Sequence, residues 1–213
     1  MTQIENKKEN FGKIIMKKII STLAIGLVFS PAAYAERPSF NYIEGGPTSM
    51  EHDTVDGDFK GFEVTGSYEL PDNFYIVAKY LQTDDEVAGD QEVEVSNKFI
   101  GIGYHQEIYT DTVFTLQLDA AEVTFGQPNA GEFVEKGFQW SVGVKSQITD
   151  SLEVELVGRV LDADQVDDEF GYYRPSFWVL GAHYKIVDDF SIYVDLEAGS
   201  DSDRTVFGIR YDY

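Results

Sequence analysis

Carboxylates dominate the side chains of this sequence that could do chemistry. The chain has 38 Asp and Glu residues, 16 Lys and Arg residues and 3 His residues, and it contains no Cys. Without Cys, neither a thiolate metal site nor a disulfide framework can form. Two kinds of site remain to be considered: a hydrolytic site that combines His with an acid, and a cation site built from carboxylate oxygens.

The best candidates for hydrolysis occur in two polar stretches, His52 with Asp53 and Asp84 with Asp85. These four would have to converge at one rim of the fold, whereas acids in polar loops are usually only solvated. A Ser-His-acid hydrolase would need all three groups together on one face. The other two histidines, His105 and His183, fall on the polar face of their segments. We therefore predict no catalytic residues and keep a rim-site hydrolase as the least favoured alternative.

An acidic stretch could hold Ca²⁺ or Mg²⁺ through its carboxylates, which are Asp162, Asp164, Asp167, Asp168 and Glu169. The stretch lacks the glycine and the ligand spacing of an EF-hand loop. A solvated acidic loop is the favoured interpretation, so the sequence predicts no metal site and no cofactor. Gly101-Ile102-Gly103 has no third glycine and no following helix, so it indicates inward glycines that relieve crowding rather than a nucleotide loop.

The overall composition excludes one class of partner. A formal net charge of −22 argues against nucleic acid, because a phosphate backbone requires clustered Lys and Arg. The chain also has 13 Tyr and 15 Phe residues. Tyrosine combines an apolar ring with a polar tip, which favours membrane–water interfaces.

The first 35 residues have the three parts of a secretory signal. Lys17 and Lys18 follow Met16, residues 19–29 are apolar, and Ala33 and Ala35 flank Tyr34 as a small-x-small cleavage site. The apolar run is too short for a transmembrane anchor. We predict that translation starts at Met16, that residues 1–35 are removed, and that residues 36–213 form one domain.

Beyond residue 35 the hydrophobic pattern has a period of two. The last ten residues show it best, with Phe207, Ile209, Tyr211 and Tyr213 alternating with small or charged residues. Ten such segments are separated alternately by long polar loops and very short turns. This pattern predicts an all-β, antiparallel, up-and-down transmembrane β-barrel of ten strands, with eight strands as the alternative. The segments are 39–46, 58–70, 74–82, 92–105, 112–125, 137–148, 152–161, 175–186, 190–199 and 204–213.

The polar faces of these segments predict a charged lumen. If Ile148 opposes Leu152 across the turn at 149–151, Lys145 opposes Glu155, and both point inward. By the same reasoning, His183 opposes Tyr193. Interleaved charges of both signs indicate a filled interior, and acids exceed bases among the inward residues, so any residual current should favour cations. The predicted lumen network is Lys79, Asp119, Lys145, Glu153, Glu155, Arg159, His183, Asp195 and Arg210.

A soluble ligand-binding barrel of the lipocalin kind is the alternative fold. In that fold the apolar face would point inward and line a ligand cavity. The alternate face here carries Glu153, Glu155 and Arg159 on one segment and Asp195 and Glu197 on another. Packing the apolar residues inside a soluble barrel is therefore less favoured than exposing them to lipid.

Three motifs carry a family resemblance: Phe-Asn-Tyr-Ile-Glu-Gly-Gly at 40–46, Phe-Ile-Gly-Ile-Gly-Tyr at 99–104, and Val-Phe-Gly-Ile-Arg-Tyr-Asp-Tyr at 206–213. On these the chain resembles small bacterial outer-membrane β-barrel proteins of the OmpX, OmpA-barrel and opacity-protein type. The resemblance implies a Gram-negative outer-membrane location, with lipid and lipopolysaccharide as partners. It also implies an assembly signal, recognised by the barrel-assembly machinery, at Phe207, Ile209, Tyr211 and Tyr213.

The resemblance implies fold and location more strongly than activity. The expected function is a non-enzymatic surface or envelope role carried by acidic extracellular loops, which could also share divalent cations with lipopolysaccharide phosphates. A narrow, passive, porin-like channel for small solutes is the alternative. Neither the external ligand of the loops nor the oligomeric state follows from the residues.

Overall fold

Ten antiparallel strands form a closed barrel in the computed structural model, which describes residues 37–52, 58–87, 91–127, 131–164, 176–199 and 202–213. Each strand pairs with its neighbours in sequence, and β1 pairs with β10 to complete the cylinder. The ten-strand prediction is confirmed, and the eight-strand alternative is wrong. The strands are β1 (Tyr42–His52), β2 (Asp58–Glu69), β3 (Phe74–Val87), β4 (Gln91–Tyr109), β5 (Thr112–Gln127), β6 (Gly131–Thr149), β7 (Leu152–Asp164), β8 (Ser176–Val187), β9 (Phe190–Gly199) and β10 (Ser202–Asp212).

Tight reversals connect the strands at one end of the barrel, which we call the turn end; the opposite end is the loop end. Between β2 and β3 the chain makes one turn of 3₁₀ helix at Pro71–Asn73. Asp72 and Asn73 have φ angles of 62° and 65° there, a left-handed conformation that short polar side chains tolerate. Among the described residues, no helix is long and apolar enough to cross a membrane.

Several strands continue past the ends that hydropathy predicts, mostly at the loop end; β4 also continues at the turn end, to Tyr109. The strand β1 includes Pro47 and ends at His52, although the sequence places a loop at 47–57. Part of each of four other predicted loops, at 83–91, 126–136, 162–174 and 200–203, is also strand. Backbone hydrogen bonds hold a strand together whatever its side chains are, so loss of the apolar alternation marks the end of the lipid-facing part and not of the strand.

The same reasoning explains the change of parity in β4. Val95 points inward and is 8% exposed, whereas Ile100 and Ile102 point outward. Pairing of β4 is continuous from Gln91 to Tyr104 with β3 and from Glu94 to Glu107 with β5, so no bulge re-aims the strand there. Of the two explanations that the sequence allows, the structure favours a β4 that extends beyond the apolar belt.

The outer surface is an apolar belt with aromatic residues toward both ends. At the turn end, the rings of Phe74 and Tyr104 lie 5.4 Å apart and those of Phe190 and Tyr211 lie 4.9 Å apart. Toward the loop end the belt includes the exposed aromatic side chains Phe62, Phe138, Trp140, Trp178 and Phe207, together with the half-buried Tyr80. Two aromatic girdles around an apolar band are the surface that a bilayer requires of a β-barrel.

A charged group lies on the outer face just beyond this belt. Glu122 Oε1 accepts a hydrogen bond from Lys98 Nζ at 2.9 Å, and Glu122 Oε2 lies 3.4 Å from Lys136 Nζ. The hydrogen bond from Lys98 lowers the pKa of Glu122 below its ordinary value. Ionised residues on the outer face mark the level at which the barrel leaves the hydrocarbon.

Inward glycines make room for larger lumen side chains. A Cβ atom at Gly101 would collide with the carboxylate of Asp119, and a Cβ atom at Gly103 would overlap the ring of Tyr75. The glycine pair therefore relieves crowding, as the sequence indicates.

The predicted cross-strand register is correct at the lumen charges. Lys145 pairs with Glu155, and His183 pairs with Tyr193. The expected Ile148–Leu152 pair is wrong, because the register shifts between Gln147 and Thr149 and Leu152 pairs with Thr149 instead. A bulge at the turn accommodates one extra residue without moving the pairs farther along the strands.

We expect Leu156→Glu to destabilise the folded barrel by about 1–3 kcal/mol, since it places a carboxylate in the hydrocarbon. Leu156 lies in the middle of the apolar belt, between Val144 and Leu180 on the neighbouring strands. Asp150→Ala, at an exposed turn position, is the control and should change stability by less than about 0.5 kcal/mol. Urea titration in liposomes measures both; equal losses would contradict the inside–outside assignment.

Candidate functional site in the barrel lumen

The lumen contains two ion clusters stacked along the barrel. The upper cluster, nearer the loop end, is centred on Arg204, which donates to Glu63 and, at 2.8 Å, to Glu197. Lys79 Nζ lies 2.8 Å from Glu63 Oε1, and Arg159 Nη1 lies 3.3 Å from Glu197 Oε2. Alternation points these side chains inward from their strands. Arg204 and Glu197 are register partners on adjacent strands, whereas the Arg204–Glu63 and Arg159–Glu197 bridges each pass over one intervening strand.

The lower cluster lies toward the turn end and is centred on Arg210 and Lys145. Arg210 donates to Glu153 at 3.0 Å and to Asp212 at 2.7 Å. Lys145 Nζ lies 3.3 Å from Glu155 and 3.7 Å from Glu153. The bridge from Arg210 on β10 to Glu153 on β7 passes over two intervening strands, so it crosses the barrel interior.

The aromatic ring of Tyr42 supports both cations of the lower cluster. The Arg210 guanidinium carbon lies 4.1 Å from the ring centroid, and Lys145 Nζ lies 5.1 Å from it. Cations over an aromatic face are held electrostatically as well as by their carboxylates.

Amides replace cations around Asp119. Its carboxylate accepts hydrogen bonds from Gln117 at 2.9 Å and from Gln139 at 3.2 Å, and Tyr75 donates to Gln117 at 3.0 Å. Asp119 therefore belongs to a hydrogen-bonded network rather than to either ion cluster. A cavity of about 70 Å³ extends between these groups, with both ion clusters contributing to its lining.

The segment 37–41 closes the turn end of the lumen. Phe40 is 2% exposed, and its ring stacks on His105 with centroids 4.3 Å apart. Arg37 donates to both carboxylate oxygens of Glu69, at 2.7 and 2.9 Å. Asn41 accepts a hydrogen bond from the Glu69 amide through its side chain, at 2.8 Å. Stacking, ion pairing and backbone contacts thus fix this segment inside the barrel mouth.

Of the residues considered for hydrolysis, the structure describes the side chains of His105, His183 and Asp84. His105 and His183 point inward, as predicted, and are 0% and 4% exposed. His52 is in β1 rather than in the predicted loop, and Asp84 is an exposed residue of β3. Asp53 and the acids at 167–169 lie outside the described residues, as does the predicted signal segment 1–35.

All nine residues of the predicted network line the lumen, but sequence reasoning missed several of their partners. Glu44 and Arg204 lie on the inward parity of β1 and β10, inside the predicted segments 39–46 and 204–213, so the alternation already predicts that they point inward. Phe40 also lies in the predicted segment 39–46, but the strand β1 begins only at Tyr42, so the predicted start of the first strand is wrong. Arg37 precedes that segment, and no periodicity predicts its position.

Comparison with known proteins supports the fold alone. No family model matches the chain, and no curated protein sequence matches it. The NanC porin structure has a TM-score of 0.50 at 7% identity, covering 80% of this chain and 100% of that chain. The KdgM porin in complex with disordered oligogalacturonate has a TM-score of 0.49 at 10% identity, covering 81% of this chain and 99% of that one.

A third structure, Neisserial surface protein A, has a TM-score of 0.44 at 12% identity, covering 82% of this chain and 98% of that chain. The chain itself has the fold of a closed, ten-stranded, antiparallel β-barrel with an apolar outer belt and a charged lumen.

Proposed function

We propose that this chain is a non-enzymatic integral outer-membrane protein with a closed lumen and a surface or envelope role carried by its acidic extracellular loops. Residues 1–35 would direct its export and be removed. The observation that carries the proposal is the set of ion pairs across the lumen, together with Phe40 at the turn end.

The geometry of these ion pairs supports a closed rather than an open barrel. Arg210 reaches Glu153 across two intervening strands, and Arg204 reaches Glu63 across β1. A barrel of about eight strands is just wide enough for side chains to fill, and ten strands widen it only modestly. Long side chains of both signs then meet near the axis and obstruct the path of a solute.

The remaining free space also favours a closed barrel. The cavity of about 70 Å³ can hold a few water molecules. Pockets that bind organic ligands measure about 300–1,000 Å³. A sugar-sized solute would have to displace charged side chains that hold one another by hydrogen bonds.

The proposal includes lipopolysaccharide as a partner at the loop end. Lys98 and Lys136 are exposed on the outer face just beyond the apolar belt, at the level of lipid headgroups. Ammonium groups are suited to phosphate, and loop carboxylates can reach the same phosphates through divalent cations. The external ligand of the loops, if there is one, would bind above this level.

The closing strand is proposed as the signal for the barrel-assembly machinery. Phe207, Ile209, Tyr211 and Tyr213 are exposed on the outer face, by 56%, 63%, 38% and 57%. A row of apolar and aromatic side chains on one face of the last strand offers a regular surface for recognition before the lipid covers it.

Planar-bilayer recording of refolded residues 36–213 tests the closed-lumen proposal. We expect little or no conductance, and any residual current should favour cations, because acids exceed bases among the inward residues. Protein-free bilayers are the baseline, and heat-modifiable gel mobility shows that the inserted protein is folded. A large, stable or anion-selective current would overturn the proposal.

A narrow, passive channel is the second candidate function, and the lining of the lumen cavity favours it. Carboxylates of Glu44, Glu63, Asp119, Glu155 and Asp195 all border the cavity. If side chains of the ion clusters exchange partners, small cations could pass along this acidic path. A small conductance with strong cation selectivity would support this candidate over the fully closed barrel.

A further inference from the structure

Three potential metal ligands converge on adjacent strands inside the barrel. Glu155 on β7, His183 on β8 and Asp195 on β9 each offer one ligand atom, and the three atoms lie within 4.8 Å of one another. The sequence alone does not predict that these three residues converge, because the register between neighbouring strands decides which residues lie side by side.

The register explains the convergence. Gly181 pairs with Glu155 on one side and with Asp195 on the other. A Cβ atom at Gly181 would lie 2.7 Å from Asp195 Oδ1 and 3.1 Å from Glu155 Oε1. Both carboxylates therefore occupy the space left by the missing side chain. Two carboxylates that share a site repel each other unless a cation or a proton lies between them.

Atoms at this position lack partners within the protein. Asp195 Oδ1 and His183 Nε2 are buried and have no hydrogen-bond partner among the described residues. His183 as a whole is 4% exposed. Burying polar atoms without a partner is unfavourable, so a ligand that engages them would stabilise the site. Glu155 differs, since Lys145 lies 3.3 Å from its carboxylate.

We propose that Glu155, His183 and Asp195 bind one divalent transition-metal ion of the Zn²⁺ class. One imidazole and two carboxylates are a donor set suited to Zn²⁺, whereas Mg²⁺ and Ca²⁺ prefer oxygen ligands alone. Zinc holds such donors at about 2.0–2.2 Å, so the side chains would close by roughly 1 Å around the ion.

The surroundings can accommodate this closure. Lys145 Nζ lies 3.7 Å from Glu153, so its ammonium group can pair with Glu153 when Glu155 turns toward the ion. Glu44 Oε2 lies 4.0 Å from His183 Nδ1 and has no hydrogen-bond partner among the described residues. Arg210 Nη1 lies nearer to Nδ1, at 3.4 Å, and a guanidinium only donates, so Nε2 can bind the ion once Nδ1 carries the proton and donates it to Glu44 instead. Glu44 is then a positioning residue for the site.

Cobalt and zinc binding to the refolded barrel tests the proposal. Co²⁺ titration should give a visible absorption band that saturates at one ion per barrel, and Zn²⁺ should displace it. Asp195→Asn and His183→Gln should each weaken the affinity by about 10–100-fold. Asp119→Asn is the matched control, because it removes another lumen carboxylate, one that already accepts hydrogen bonds from two glutamine amides. The affinity of this variant for Co²⁺ and Zn²⁺ should match that of the wild type.

The outcomes separate this site from the acidic loops. Heat-modifiable gel mobility first shows that each variant is folded. Unchanged affinity in both Asp195→Asn and His183→Gln would place the ion elsewhere and overturn the proposal. Absence of binding by the wild-type barrel at millimolar Co²⁺ and Zn²⁺ would overturn it as well. Conductance measurements are independent of this result, so the closed-lumen proposal stands or fails separately.

Discussion

Replacing Arg204 with methionine is expected to lower the free energy of unfolding by about 3–5 kcal/mol, since it breaks a buried ion pair and leaves its partners unpaired. Arg204 is 8% exposed and donates to both Glu63 and Glu197. Methionine retains much of the side-chain length but cannot donate. Lys79 would still compensate Glu63, and Arg159 would still reach Glu197 at 3.3 Å, which places the loss within this range rather than above it.

Lys136→Met is the matched control for Arg204→Met. The Lys136 side chain is 74% exposed and lies 3.4 Å from Glu122 on the outer face. Exposed ion pairs contribute about 0–1 kcal/mol. Urea titration of both variants in the same lipid measures the difference. If the two substitutions cost the same, the upper cluster contributes no more than a solvated surface pair.

The second large effect is expected for Phe40→Ala, which should cost about 3–5 kcal/mol, as for other buried phenylalanines. Phe40 packs with Tyr75, Val77 and Val113 in an apolar cluster inside the turn end, and its ring also stacks on His105. The cavity left by alanine cannot collapse, because the barrel wall is held by its strand pairing.

Phe40→Leu separates apolar volume from ring stacking and should cost less than about 1.5 kcal/mol. Urea titration measures the loss, and hydrogen exchange of the Glu69 amide measures whether the segment stays in place, since that amide donates to Asn41. We expect faster exchange in Phe40→Ala than in Phe40→Leu. A cost below about 1 kcal/mol for Phe40→Ala would mean that the ring does not occupy the lumen.

The alternation in the sequence predicts the barrel, favours ten strands over eight and assigns side chains to its inner or outer face. Side chains alternate along a strand with a period of two residues. Once one face is known to be apolar, the position of each residue in this alternation assigns it to lipid or lumen. The Lys145–Glu155 and His183–Tyr193 pairs followed from counting back from short turns, and the structure has both. The bulge near Ile148 could not be predicted by counting residues back from the turn, because it depends on the local geometry of that turn.

The contacts among inward residues depend on the folded barrel. Parity places Asp195 and Glu155 in the lumen but says nothing of the stagger between β7 and β9, which brings both over Gly181. The strand ends beyond the apolar belt could not be predicted from the sequence either, because backbone pairing continues where the hydrophobic pattern stops. Phe40 is the clearest case: the alternation includes it in the first predicted segment, whereas in the structure it precedes β1 and is buried in the interior that closure of β1 on β10 creates.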